Sequence, residues 1–222
     1  MAKCSAKICG LNDIPSLGAA IAGGAAYVGM VFYPPSPRAI TAEQAAELAK
    51  NVPASVKIVG LFVDPQEAEI EAILAQARLD MIQLHGSESP ERVAQIRQYF
   101  SLPVMKALKI ATPDDLVAAK DYENSADMLL FDAKAPKNMK DALPGGNGLV
   151  FDWHMLSNLS FSLPWMLAGG LNAANVREAI TISGATCVDT SSGVESSPGH
   201  KDLAAIARFL EIVSEGGSED GV

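Results

Sequence analysis

Eight short apolar runs, each followed by a segment of helical character, constrain this chain more than any other feature. The runs are Ala6–Cys9, Tyr27–Phe32, Lys57–Val63, Met81–His85, Val104–Lys109, Met128–Asp132, Trp165–Gly169 and Thr186–Thr190. Strand and helix alternating over a whole chain imply parallel strands joined by right-handed crossovers. Eight such units predict an α/β fold, a closed (β/α)8 or TIM barrel. An open doubly wound sheet of fewer strands is the alternative. No Gly-x-Gly-x-x-Gly opens the first helix, which weakens the dinucleotide-binding version of that alternative.

Helix starts carry their own signals. Thr41 with Gln44 fits a capping box ahead of "AEQAAELAK". Asp64-Pro65, Ser89-Pro90 and Thr112-Pro113 each set a capping residue before a proline at the first helical position, where the missing N–H costs little. Asn12 and Asp13 start the first helix, and Asn172 caps "AANVREAI". Residues 133–149, "AKAPKNMKDALPGGNGL", are too long for an ordinary connection; such loops are functional or disordered. The chain reads as one barrel domain over residues 1–215, with a frayed, flexible acidic tail over 216–222.

Composition narrows the function classes. Hydrophobic residues make up 49% of the 222, enough for a sizeable core. No apolar run approaches the roughly 18 residues of a membrane span, and the amino terminus lacks a secretory apolar stretch. A net charge of −9 argues against nucleic acid as a partner. Cys4, Cys9 and Cys187 fit no zinc spacing and cannot all pair with one another. They indicate free thiols in a reducing cytoplasm, with no metal.

In a barrel of this kind the active site lies at the carboxyl ends of the strands. Cys9, Gln83, His85, Asp132 and Asp189 fall there, and Arg38 falls in the loop after the second strand. Side chains alternate along a strand, so Lys7 lies one layer below Cys9; Lys106 is read as pointing inward from the fifth strand. Each residue also has a bland reading: a packed cysteine, a strand-ending aspartate, a satisfied core histidine, a surface arginine. Their common position at one end of several strands is the stronger signal. Glycine turns supply another. "AGGLN" follows the seventh strand and "SSGVE" the eighth, the usual phosphate-binding loops of the fold. Gly169, Gly170, Ser192 and Gly193 are the candidate phosphate residues, with Gly146 of "PGGNG" adding a further N–H from the sixth loop.

These motifs resemble the phosphoribosylanthranilate isomerases of tryptophan biosynthesis. The resemblance rests on "KICG" at 7–10, "SPR" at 36–38, "QLHG" at 83–86 and "FDAK" at 131–134. It continues through "PGGNG" and "FDW" at 144–153, "LAGGLNAANV" at 167–176 and "VDTSSGVE" at 188–195, covering the chain in order. It implies a (β/α)8 barrel enzyme that converts N-(5-phosphoribosyl)anthranilate to 1-(2-carboxyphenylamino)-1-deoxyribulose 5-phosphate by an Amadori rearrangement. It also implies Cys9 as general base, Asp132 as general acid and Arg38 on the anthranilate carboxylate. Ala133 and Leu149 depart from the family pattern, where a hydroxyl residue and a lysine are usual.

Such a reaction needs an acid to protonate the ring oxygen and a base to take the C2 proton. It needs no cofactor, metal or covalent intermediate. Free thiols titrate near 8.5 and aspartates near 3.9, so each group must depart from its reference state near neutral pH. Lys7 and the first helix N-terminus are the expected means of keeping Cys9 charged, and burial or Asp189 that of keeping Asp132 neutral. Gln83, His85 and Asp189 are expected to bind substrate. The partner is a small phosphorylated molecule, with no nucleic acid or membrane, and the chain is a monomer or homodimer. Two rivals stand beside this reading: a Schiff-base aldolase using Lys7 or Lys106, and a barrel that binds a phosphorylated ligand without turnover.

Overall fold

All eight expected strands form, and they close on themselves. The computed structural model describes residues 4–134, 145–146, 148–157 and 160–216. The strands are β1 (Ser5–Cys9), β2 (Tyr27–Val31), β3 (Lys57–Phe62), β4 (Met81–Leu84), β5 (Val104–Ile110), β6 (Met128–Ala133), β7 (Trp165–Leu167) and β8 (Cys187–Thr190). They run parallel in chain order, and β8 pairs back onto β1 with Lys7 opposite Asp189. Outside lie α1 (Ile14–Ala22), α2 (Ala42–Ala49), α3 (Glu67–Leu74), α4 (Pro90–Phe100), α5 (Pro113–Ala119), α6 (Val176–Ser183) and α7 (Leu203–Glu215). Between β6 and β7 the described residues contain only a 3-10 turn, Trp153–Leu156. After β8 comes an unanticipated antiparallel hairpin, β9 (Glu195–Ser197) and β10 (His200–Lys201).

Alternation along the strands builds two cores. On β6, Leu129 and Phe131 join the layer beneath the helices, where Phe131 packs against Phe161 and Trp165. Met128 and Leu130 turn the other way, into an interior layer with Met105, Ala107, Met166 and Cys187. Asp132 has the same parity and so reaches the barrel mouth. Lys106 has the opposite parity to Met105 and Ala107. It therefore points outward, not inward as its sequence suggested, and pairs with Glu88 at 2.6 Å under α4.

Several caps form as expected. Thr41 and Gln44 exchange both capping-box bonds, at 3.2 and 2.8 Å, and Ser89 accepts from Arg92 N at 3.3 Å. Three expectations fail because another partner claims the side chain. Asp64 does not cap α3; its carboxylate accepts from Ser87 N at 2.7 Å, and Gln66 occupies the cap. Asn172 does not cap α6 either. Its Oδ1 accepts from Ala174 N, forming a turn ahead of the true cap, Asn175. Asn12 donates to Gly199 O at 3.0 Å, leaving Asp13 alone to cap α1. Residues 135–144 and 147 of the long loop, and 217–222 of the tail, lie outside the described residues.

Two buried thiols near the amino-terminal ends of β1 and β8 set a pH limit on the fold. Burial pushes the Cys4 thiol from its ordinary 9.0 up to about 12 and that of Cys187 up to about 11. As pH rises, the unfolded chain therefore releases these protons before the folded one does. Their contribution is complete below pH 9.0 and is lost as pH climbs toward the two folded values. Urea midpoints are expected to fall steadily above that pH; a flat profile would contradict the buried neutral thiols.

Candidate active site

At the carboxyl ends of the strands lies a pocket of about 660 Å³. Cys9 of β1, His85 just after β4, Asp132 of β6, Asp189 of β8, Arg38 and the glycine turns after β7 and β8 all line it.

Cys9 ends β1 and is 4% exposed. Gly29 faces it from β2, and a Cβ there would come within 2.8 Å of Sγ, so the missing side chain makes room for the thiol. Lys7 lies one layer down, fully buried, with Nζ donating to Asp189 Oδ1 at 2.9 Å. Burial favours neutral Lys7, but Asp189 and Cys9 outweigh it and hold its pKa above the ordinary lysine value. For Cys9 the balance departs from the sequence expectation. Burial dominates and raises the thiol, with Asp189 adding to it, while Lys7 and Lys201 pull downward. The first turn of α1 is capped by Asp13, whose Oδ1 accepts from Ser16 N at 2.7 Å.

Asp132 ends the inward face of β6. Its Oδ1 accepts from Ala133 N at 2.9 Å and its Oδ2 lies 3.3 Å from His85 Nε2. Gln83 Nε2 stands 3.0 Å from His85 Nδ1. Gln83, His85 and Asp132 thus form one side-chain hydrogen-bonded chain at the barrel mouth. Gln83 Oε1 is buried with no hydrogen-bond partner among the described residues. Gly145 of the sixth loop lies over this group; a Cβ there would meet His85 Nε2 at 2.7 Å and Asp132 Oδ2 at 3.0 Å. Asp189, expected beside Asp132, is engaged by Lys7 instead, because β8 closes the barrel onto β1.

Arg38 is 5% exposed, not a surface residue. Its stem lies on Gly10, where a Cβ would come within 2.6 Å of Cδ. Its Nε and Nη2 donate to the two oxygens of Glu195 at 2.7 and 2.9 Å, and Nη2 approaches Gly146 O at 3.4 Å. Lys201, its side chain fully buried, donates to the same Glu195 at 2.7 Å and to Ser191 O at 2.9 Å. Sequence reasoning missed Glu195 and Lys201. The turn signal Ser-Ser-Pro-Gly at 196–199, with Glu195 just before it and Lys201 two residues after it, was the available clue to the hairpin that pairs them.

The glycine turns fall where expected. Gly169 and Gly170 have φ of +91° and +60°, and a Cβ at Gly170 would meet Leu149 O at 2.7 Å. Among the described residues, neither backbone N–H donates to a protein carbonyl outside the regular elements. Ser192 and Gly193 open a 3-10 turn, whose first N–H groups have no carbonyl behind them within the turn. All four line the pocket with Gly146. For the aldolase reading, Lys7 lies beneath the pocket in an ion pair and Lys106 faces away from it. Neither ammonium is presented to a carbonyl substrate.

A closed parallel barrel with acid, thiol and arginine around one pocket, and backbone donors opposite, defines a barrel enzyme for a small anionic substrate. The family model described as N-(5'-phosphoribosyl)anthranilate (PRA) isomerase matches residues 6–212. The N-(5'-phosphoribosyl)anthranilate isomerase of Rhodospirillum centenum is 57% identical over 204 residues, 92% of this chain and 95% of the relative. The crystal structure of phosphoribosyl anthranilate isomerase from Thermotoga maritima superposes with a TM-score of 0.84 at 33% identity, covering 95% of this chain and 98% of that one. A phosphoribosyl anthranilate isomerase in complex with reduced 1-(o-carboxyphenylamino)-1-deoxyribulose 5-phosphate matches at 0.80 and 31%, covering 95% and 98%. The chain belongs to the N-(5'-phosphoribosyl)anthranilate isomerase family, enzymes of tryptophan biosynthesis.

Proposed function

We propose that this chain isomerises N-(5'-phosphoribosyl)anthranilate with Asp132 as general acid and Cys9 as general base. The observation that carries this reading is the pocket itself: thiol, carboxyl, arginine and glycine turns line one cavity. Asp132 protonates the ribose ring oxygen, the ring C1–O bond breaks, and a Schiff base forms between C1 and the anthranilate nitrogen. The Cys9 thiolate then removes the C2 proton. The enolamine that results tautomerises to the ketone, so no redox change or covalent enzyme adduct is involved.

Binding is divided among the remaining groups. Arg38 holds the anthranilate carboxylate. Backbone N–H groups of Gly169, Gly170, Ser192, Gly193 and Gly146 hold the phosphate, fixing the substrate remotely from the reacting carbons. Gln83 Oε1, with no partner of its own among the described residues, accepts from a ribulose hydroxyl. His85 orients Asp132, and Asp189 keeps Lys7 beneath the thiol. Every group named comes from one chain, so a monomer and a homodimer serve equally. Three free thiols suit work in the reducing cytoplasm, and no helix among the described residues is long and apolar enough to cross a membrane.

Loss of anthranilate-conjugate fluorescence on adding purified protein tests the activity directly. No turnover with tight binding of the product would favour a binding module, and borohydride trapping of an adduct would favour an aldolase. Arg38→Ala is expected to raise KM by roughly tenfold or more with a smaller change in kcat, as loss of a charged contact does. An unchanged KM would remove Arg38 from carboxylate binding.

A further inference from the structure

A bidentate carboxylate on an arginine normally cancels the charge it offers a ligand. Arg38 is in this position, since Glu195 takes its Nε and Nη2. Two buried partners alone form a neutral pair, poorly suited to attract an anion. Lys201 changes this sum. Its side chain is fully buried and its ammonium stands 2.7 Å from Glu195 Oε1. One carboxylate between two cations leaves the cluster at net +1, and Arg38 is the member that lines the pocket.

The hairpin assembles this cluster. Lys201 is the cross-strand partner of Glu195, which sets the two side chains on one face. The turn between them packs on the loop that carries Arg38: a Cβ at Gly199 would come within 2.4 Å of Pro37 O. Gly199 N also donates to Glu195 Oε2 at 3.3 Å. Lys201 reaches further, to Ser191, whose hydroxyl donates to Cys9 O at 3.0 Å.

We infer that Lys201 is a positioning and charge-compensating residue for Arg38, neutralising Glu195 so that the guanidinium presents an uncancelled positive charge to the carboxylate end of the substrate. The inference rests on the reading of Arg38 as the carboxylate-binding group. Lys201 touches no substrate atom; it acts through Glu195.

The test uses two ligands with the whole protein: the product, 1-(2-carboxyphenylamino)-1-deoxyribulose 5-phosphate, and 1-phenylamino-1-deoxyribulose 5-phosphate, which lacks the carboxylate. Lys201→Met is expected to weaken the product roughly tenfold while leaving the second ligand within about twofold, the pattern of a lost charge–charge contribution in a buried site. KM should rise with Kd; a fall in kcat reports the separate pull of Lys201 on the Cys9 thiolate. Lys201→Arg should restore most of the product affinity, and Lys201→Gln gives the same readout if the methionine variant fails to fold. Equal weakening of both ligands, or none, overturns the inference. Arg38→Met separates the two levels. If it spares the product, the carboxylate reading of Arg38 fails and the inference with it. If Arg38→Met discriminates between the ligands and Lys201→Met does not, only the role of Lys201 is lost.

Discussion

Asp132→Asn and Cys9→Ser are each expected to lower kcat by about 10²–10⁴-fold while the protein stays folded, the usual contribution of a positioned acid or base. An amide in place of the Asp132 carboxyl keeps its size and still accepts from Ala133 N, so that backbone contact persists while the acid proton is gone. Serine keeps the shape of Cys9 beside Gly29 but does not ionise in the accessible range. Stopped-flow or steady-state fluorescence, with circular dichroism as the folding control, reads both. Activity near the parent level in either variant removes that residue from the mechanism. The pH profile carries a second mark. Burial, reinforced by Asp189, holds the Cys9 thiol above its ordinary value against the pull of Lys7 and Lys201. Catalysis needs the thiolate and a protonated Asp132 together, so kcat/KM is expected to follow a bell, and the limb set by the thiol is expected to vanish in Cys9→Ser. A Cys9→Ser profile that keeps both limbs contradicts a thiolate base.

Lys7→Met carries the largest expected stability effect. It leaves the buried Asp189 carboxylate without its ammonium, which costs about 3–5 kcal/mol when one member of a buried pair is removed. Catalysis should fall too, because Lys7 is the first of the groups that favour the Cys9 thiolate. Adding Asp189→Leu separates the two roles. Replacing both members with apolar groups is expected to recover most of the urea-denaturation stability, but not the activity. Full recovery of both would make the pair purely structural; no loss of stability in Lys7→Met alone would show that the interior pair contributes little.

Much of the site was legible because a strand has period two. Once eight parallel strands are read, the inward residues at their carboxyl ends follow, and Cys9, Gln83, His85, Asp132 and Asp189 all line the one pocket. The same rule, misapplied by one residue, put Lys106 inside. Its parity with Leu129 rather than Met105 was readable in the pairing only after β5 and β6 were in register. The capping errors at Asp64 and Asn172 have a different origin. A cap is a local preference worth about 1 kcal/mol, and a side chain with another hydrogen-bond partner abandons it.

By itself, the sequence determined the alternation of strands and helices and, once a barrel is read, the end of it at which chemistry happens. It also determined the family, through motifs spread along the chain in order. Those are consequences of local periodicity and of residue identity. Tertiary structure alone decided which charges meet: Asp189 with Lys7 rather than Asp132, and Glu195 between Arg38 and Lys201. Arg38 and Glu195 are separated by 157 positions, Lys7 and Asp189 by 182. Only barrel closure brings such residues together, and Coulomb interactions depend on that distance in space, with no periodicity in sequence to announce it.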